Sequence, residues 1–183
     1  MTKELPNGLK LCPTTTLHQP FLRYFYSLMR ISFWSVGKPH EPYVKDGIGD
    51  FTGRVSRYFP CEWKLLSPAK YPGTPEETMK QEAETILGAL GAADYLVLLD
   101  ERGKQWSSEQ LAAFIQTRAN DSCRHLVFLI GGAYGVDASV RARSQVIWSL
   151  SSLVFPHQLV RLILSEQFYR ACSILRNEKY HHS

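Results

Sequence analysis

The sequence predicts an α/β domain, a mostly parallel five-stranded sheet with helices on both faces, and three observations predict it. Residues 95–99 (YLVLL) and 126–130 (LVFLI) are unbroken apolar runs of strand length, as expected of strands covered on both sides. Strand-like and helix-like segments alternate from residue 29 to residue 176, which favours parallel pairing through helical crossovers. Glycines directly follow the second apolar run, where a strand ends and backbone can approach a ligand closely. At 183 residues, 44% of them hydrophobic, the chain fits one domain with its own core.

Residues 1–28 hold Pro6, Gly8, Pro13, a Thr14–Thr16 run and Pro20 without a clear period. They read as an N-terminal extension or a misassigned start, and residues 29–183 as the domain. MRISFWSVGK from Met29 is an alternating, aromatic-rich first strand. Val44, Ile48, Phe51, Val55 and Tyr58 recur at helical spacing, so 41–59 is an amphipathic helix. Residues 62–66 form a second strand, and 70–73 a Pro/Gly loop. Thr74-Pro75-Glu76-Glu77 is a capping box with proline at the first helical position. Its helix presents Met79, Ala83, Ile86, Leu87 and Leu90 to a core. After the strand 95–99 comes a loop at 100–103, then a helix begun by Ser107 or Ser108 with Leu111, Phe114 and Ile115 inward. The strand 126–130, a short helix near 137–144, a strand at 146–150 and a helix at 158–176 complete the order. Ligands of such sheets bind at the carboxyl ends of strands, which here are the loops 100–103, 131–135 and 151–157.

Composition narrows the chemistry. No apolar run can span a bilayer, and no charged n-region precedes an apolar h-region, so neither a membrane span nor a secretory signal is expected. Cys12, Cys61, Cys123 and Cys172 are scattered without a CxxC pair, which argues against a zinc site and for reduced thiols in the cytoplasm. Residues 1–137 carry fifteen basic and fifteen acidic side chains. The net charge of +4 therefore comes from Arg141, Arg143, Arg161, Arg170, Arg176 and Lys179, set against Glu166 and Glu178. A basic C-terminal quarter suits a phosphate backbone, although on charge alone a few solvated arginines are the simpler account.

The motifs are specific mostly by what they are not. Gly131-Gly132-Ala133-Tyr134-Gly135 is neither a dinucleotide fingerprint nor a P-loop, and by itself it fits a tight turn. Pro156 ends the strand before it and holds Phe155 extended, so backbone groups there lack sheet partners. His157 is expected to fix that turn by a local hydrogen bond. Glu166 and Arg170 are spaced as a helical ion pair. Tyr180, His181 and His182 can stack on or bond to a nucleobase; two histidines without a third ligand are no metal site.

Three segments, LVFLIGGAYGV, WSLSSLVFPHQLVRLILSEQFYRA and the closing RNEKYHHS, together resemble the SPOUT methyltransferases. Among these they are most similar to the large-subunit rRNA pseudouridine N3-methyltransferases, over residues 29–183. The resemblance implies S-adenosyl-L-methionine as cofactor, with Leu99 and Gly131 in contact with it. It implies that the loop of Leu150, Ser151, Ser152, Leu153, Val154 and Phe155 wraps the adenine, mainly through backbone groups. It further implies a C-terminal trefoil knot, and a homodimer in which the tail of one subunit approaches the pocket of the other. Methyl transfer would go to N3 of a pseudouridine in large-subunit rRNA on the assembled ribosome. Arg161, Arg170, Tyr180 and His181 fall where RNA contacts are expected, and Glu166, His181 and water are all open as the base. Two other readings share the fold: a methyltransferase of another RNA such as tRNA, and a non-catalytic ribosome-binding protein. The helix 158–176 supports dimerisation independently, since Leu159, Val160, Leu162, Ile163, Leu164, Phe168 and Ile174 cannot all face one core.

Overall fold

A computed structural model describes residues 29–70 and 73–181. Residues 1–28, and with them Cys12, lie outside the described residues, as does His182. Five strands form one parallel sheet: β1 (Arg30–Val36), β2 (Cys61–Leu66), β3 (Tyr95–Gln105), β4 (His125–Ile130) and β5 (Val146–Ser149), in the order β2-β1-β4-β3-β5. The helices are α1 (Pro42–Val55), α2 (Pro75–Ala89), α3 (Ser108–Asn120), α4 (Ala138–Arg143) and α5 (His157–Leu175), and a 3-10 turn spans Lys179–His181.

Side-chain alternation along the strands divides the core in two. Phe33, Val97, Leu126, Phe128 and Ile130 pack with α1, α3 and α5 on one face. Trp34, Leu96, Leu98, Val127 and Leu129 pack with α2 and α4 on the other. Both apolar runs are therefore covered on both faces, as their composition required. Three rings join β1, β4 and α5: Phe168 meets Phe33 at 4.7 Å and Phe128 at 4.6 Å, both edge-on. Local signals hold as well. Thr74 and Ser107 each close a capping box, which settles the start of α3 at Ser107. Burial pushes the Cys61 thiol up to about 12.

Two expectations change. The segment 100–103 is not a free loop after a short strand: β3 runs on to Gln105, because Lys104 and Gln105 resume pairing with Trp148 and Ser149 of β5 after an irregularity. Gly103 makes this possible, since a Cβ there would sit 2.7 Å from the Ile147 and Trp148 backbone. The second change concerns α5. It lies between α1 and α3, and these neighbours share much of its apolar surface: Leu164 and Phe168 are buried, while Leu159, Val160, Leu162, Ile163 and Ile174 are half-buried. The tail is held in place as far as Tyr180, which packs on Tyr169 of α5 with ring centroids 4.6 Å apart.

At the amino end of the sheet, His125 Nδ1 lies 2.9 Å from Asp94 Oδ1, and its Nε2 lies 2.9 Å from Ser32 Oγ. The connectivity is that of a hydrolase triad. Ser32 is fully buried, however, so the three residues fasten β1, β4 and the start of β3 to one another.

Candidate functional site

The carboxyl ends of β4, β3 and β5 are neighbours in the sheet, and a cleft of about 700 Å³ opens there. Each strand end contributes one wall. From β3 come Leu99, Asp100, Glu101 and Arg102; from the β4–α4 turn, Gly131 to Val136; from the β5–α5 segment, Leu150, Ser151, Leu153, Val154 and Phe155. Val160 and His157 of α5 and Arg141 of α4 complete it. A volume of this size suits a ligand of several hundred daltons.

Seven of the eight residues expected to hold the cofactor line this cleft; Ser152 is the exception. The serine turn explains it. Ser149 Oγ donates to the Ser151 carbonyl at 2.8 Å, and Ser151 Oγ accepts from the Leu153 N–H at 2.9 Å, which leaves Ser152 exposed. The backbone N–H and C=O groups of Val154 and Phe155 have no protein partner among the described residues. They are free to meet the edge of a heterocycle. The indole N–H of Trp148 is buried on the cleft lining without a partner among the described residues. Gly131 has no room for a side chain: a Cβ would fall 2.9 Å from the Gly135 carbonyl oxygen and 2.7 Å from Val136. Its backbone thus forms the floor of the cleft.

Sequence reasoning did not assign Arg141, although the charge count singled it out. Its guanidinium grips the Asp100 carboxylate, which also accepts from the Arg102 N–H at 2.9 Å. This clamp ties α4 to the bulged part of β3 and fixes one wall. His157 departs from expectation: its ring has no hydrogen-bond partner among the described residues, and it lines the cleft. Burial first, then the charge of Arg161, lowers its pKa, so it is neutral at pH 7.

The residues expected to meet RNA lie elsewhere. Arg161 does not face solvent but is 2% exposed. Its Nε donates to Ser35 Oγ at 3.1 Å and its Nη1 to the Lys38 carbonyl at 3.0 Å, so it binds α5 to the end of β1. At that exposure it presents almost no surface to a phosphate. Glu166, Arg170 and Tyr180 do come together, but none lines the cleft of its own chain. Arg170 Nε and the Tyr180 hydroxyl donate to Glu166 Oε1 at 3.0 and 3.2 Å, and Gln167 donates to Oε2 at 2.7 Å. His181 belongs to the 3-10 turn, and its side chain lies outside the described residues. Among the described residues no group of His, Cys, Asp or Glu is arranged to hold a metal ion, and no helix is long and apolar enough to cross a membrane.

Comparison with known proteins identifies the family. The family model described as "Predicted SPOUT methyltransferase" matches residues 29–181. The chain is 43% identical over 155 residues to the ribosomal RNA large subunit methyltransferase H of Geotalea daltonii, covering 84% of this chain and 100% of the relative. It is 42% identical over 154 residues to the protein of the same name from Trichlorobacter lovleyi, with the same coverage. A crystal structure of a probable methyltransferase from Bordetella pertussis Tohama I shares the fold at TM-score 0.50 and 10% identity, over 83% of this chain and 98% of that one. A family match over most of the chain, and relatives this similar along their whole length, leave one assignment: the chain belongs to the SPOUT methyltransferase family.

Proposed function

We propose that the chain transfers a methyl group from S-adenosyl-L-methionine to N3 of a pseudouridine in large-subunit rRNA, acting as a homodimer on the assembled ribosome in the cytoplasm. The observation that carries this reading is the cleft at the ends of β3, β4 and β5, in a chain that matches ribosomal RNA large subunit methyltransferases H along their full length. The residues present fit the cofactor. The unpaired backbone groups of Val154 and Phe155 suit an adenine edge, and the bare backbone at Gly131 suits the methionine part. Once bound, the cofactor supplies an electrophilic methyl on a sulfonium. The chain's own task is then to orient the target nitrogen, remove its proton and exclude water. Leu99, Leu150 and Phe155 give the apolar walls for the last of these.

Glu166 already accepts from Arg170, Gln167 and Tyr180, which suits it to hold the tail in place more than to take the proton. Because that cluster does not line its own chain's cleft, a second subunit is the natural way to bring Tyr180 and His181 to the reaction. Leu153 and Val154, 67% and 85% exposed, support such an interface. The close approach of Gly103 to the β5 backbone supports a knotted crossing of these segments. We assign the domain to residues 29–183 and leave 1–28 outside it; Met29 is itself 1% exposed.

The test is methyl transfer from labelled S-adenosylmethionine to ribosomes from a strain lacking the gene, with the modified nucleotide mapped by mass spectrometry. Label at N3 of a large-subunit pseudouridine is the expected result. Label on tRNA alone, or none despite cofactor binding, would refute the reading.

A further inference from the structure

An RNA strand must be held at the mouth of the cleft, and most of the nearby cations are engaged. Arg161 is buried, Arg170 pairs with Glu166, and Arg141 pairs with Asp100. Arg102 differs. It lines the cleft, its side chain is 78% exposed, and its ion-pair contact is a loose one, 3.7 Å to the neighbouring Glu101. Its backbone, by contrast, is fixed. The Arg102 N–H donates to Asp100, Arg141 grips the same carboxylate, and Gly103 packs on the backbone of β5. Arg102 is thus an open charge on a rigid base, with Lys104 exposed beside it.

The adjacent strand end supplies a second, independent feature. Tyr134 also lines the cleft and is 58% exposed. It sits at the tip of a two-residue turn, in which Gly132 N–H donates to the Gly135 carbonyl at 3.2 Å and Gly135 N–H to the Gly132 carbonyl at 3.0 Å. Gly135 adopts φ 86°, which favours glycine. The Glu82 carboxyl lies directly against Gly132, and Val136 against Gly131, so the turn has no space to fold inwards. The Tyr134 side chain has no ring, ion-pair or hydrogen-bond partner among the described residues. A large aromatic held in water on a rigid turn contributes little to the chain's own core.

We propose that Tyr134 and Arg102 form a receiving lip for single-stranded RNA: Tyr134 stacks on an unpaired base beside the target nucleotide, and Arg102 takes an adjoining phosphate. This rests on the RNA methyltransferase reading above and names the groups by which that site grips its substrate. Unpaired bases stack on aromatic faces, and a guanidinium fork matches phosphate oxygens. An aromatic accompanied by Arg102 and Lys104 matches a nucleic-acid strand in charge as well as in shape.

The test uses the full chain and four variants: Tyr134→Ala, Tyr134→Phe, Arg102→Ala and Arg102→Lys. Methyl transfer to ribosomes lacking the modification is measured against ribosome concentration at several salt concentrations. Cofactor affinity is measured by calorimetry and subunit mass by light scattering. Tyr134→Ala should raise KM for ribosomes about ten-fold or more, with kcat unchanged, and Tyr134→Phe should restore it. Arg102→Ala should raise KM and reduce the salt dependence by about one phosphate contact, and Arg102→Lys should recover part of both. Cofactor affinity and mass should stay at wild-type values throughout. Unchanged KM in both alanine variants would overturn the proposal, as would a loss traced to weaker cofactor binding or to a broken dimer. A wild-type chain that binds the cofactor but methylates no ribosome overturns it too, through the reading beneath, and does so before any variant is compared.

Discussion

Arg161 Nε donates to Ser35 Oγ at 3.1 Å, joining the second turn of α5 to the end of β1 inside the protein. Among the described residues no carboxylate pairs with this guanidinium. Its partners are neutral: Ser35, the Lys38 carbonyl, His40 and Gln158. Gln158 in turn accepts from the Glu41 N–H and donates to the Pro39 carbonyl. A whole corner of the fold is therefore held by the side chains of Gln158 and Arg161 on α5. Arg161→Met leaves Ser35 and the Lys38 carbonyl without that donor, and should cost about 2–4 kcal/mol in urea unfolding. Arg161→Lys should recover little, since one ammonium cannot reach partners spread around a planar fork.

The same corner sets an acid response. Burial and Arg161 lower the pKa of His157, and burial, Arg161 and Lys45 lower that of His40. Each histidine therefore binds its proton more readily in the unfolded chain, where it titrates at about 6.5. By linkage their contribution is present above that pH and is lost as pH falls through the folded values. Melting temperature should fall between pH 7 and pH 5, and the fall should be shallower in His40→Gln. An equal slope in that variant would contradict the assignment.

Phe168 bridges Phe33 and Phe128 and is fully buried. Phe168→Ala should cost about 3–5 kcal/mol. That is a large share of the stability of a domain, so the denaturant midpoint should drop sharply, if the variant folds at all.

Gly103→Ala tests the passage of β3 past β5. The added methyl meets backbone at 2.7 Å, and backbone cannot swing aside as a side chain can. A loss of about 1–3 kcal/mol is expected, along with weaker cofactor binding, because the wall formed by Leu99 and Asp100 is displaced. Gly131→Val should act likewise: it collides with Gly135 and Val136 within its own turn, so calorimetry should show reduced S-adenosylmethionine affinity together with a lower melting temperature.

Removing residues 180–183 should abolish methyl transfer and leave cofactor affinity unchanged, as among the described residues none of the cleft lining belongs to the tail. A modest drop in melting temperature should accompany it, from the lost contacts of Tyr180 with Tyr169 and Glu166. Mixed dimers of a tail-deleted chain and a Gly131→Val chain should regain some activity if the tail works on the opposite subunit. Full activity of the truncated homodimer would show that Tyr180 and His181 take no part.

Local order was legible because it is encoded locally. YLVLL and LVFLI announce strands buried on both faces, and Thr74 and Ser107 announce helix starts through bonds made within three residues. The glycines after β4 and the Pro-His break after β5 mark two walls of the cleft by residue type alone. What tertiary structure alone decided was the use of side chains whose partners are distant in the sequence. Arg161 has the composition of a surface cation, and only its contact with a residue 126 positions away makes it a buried brace. Asp100 reads as a loop acid until Arg141 reaches it from 41 positions on, and β3 reads as ending at Leu99 until β5 pairs with Lys104. Periodicity and capping record what a residue does with its neighbours in sequence. Which of several arginines is buried, paired or left open to a substrate depends on the strand order β2-β1-β4-β3-β5, which no local pattern encodes.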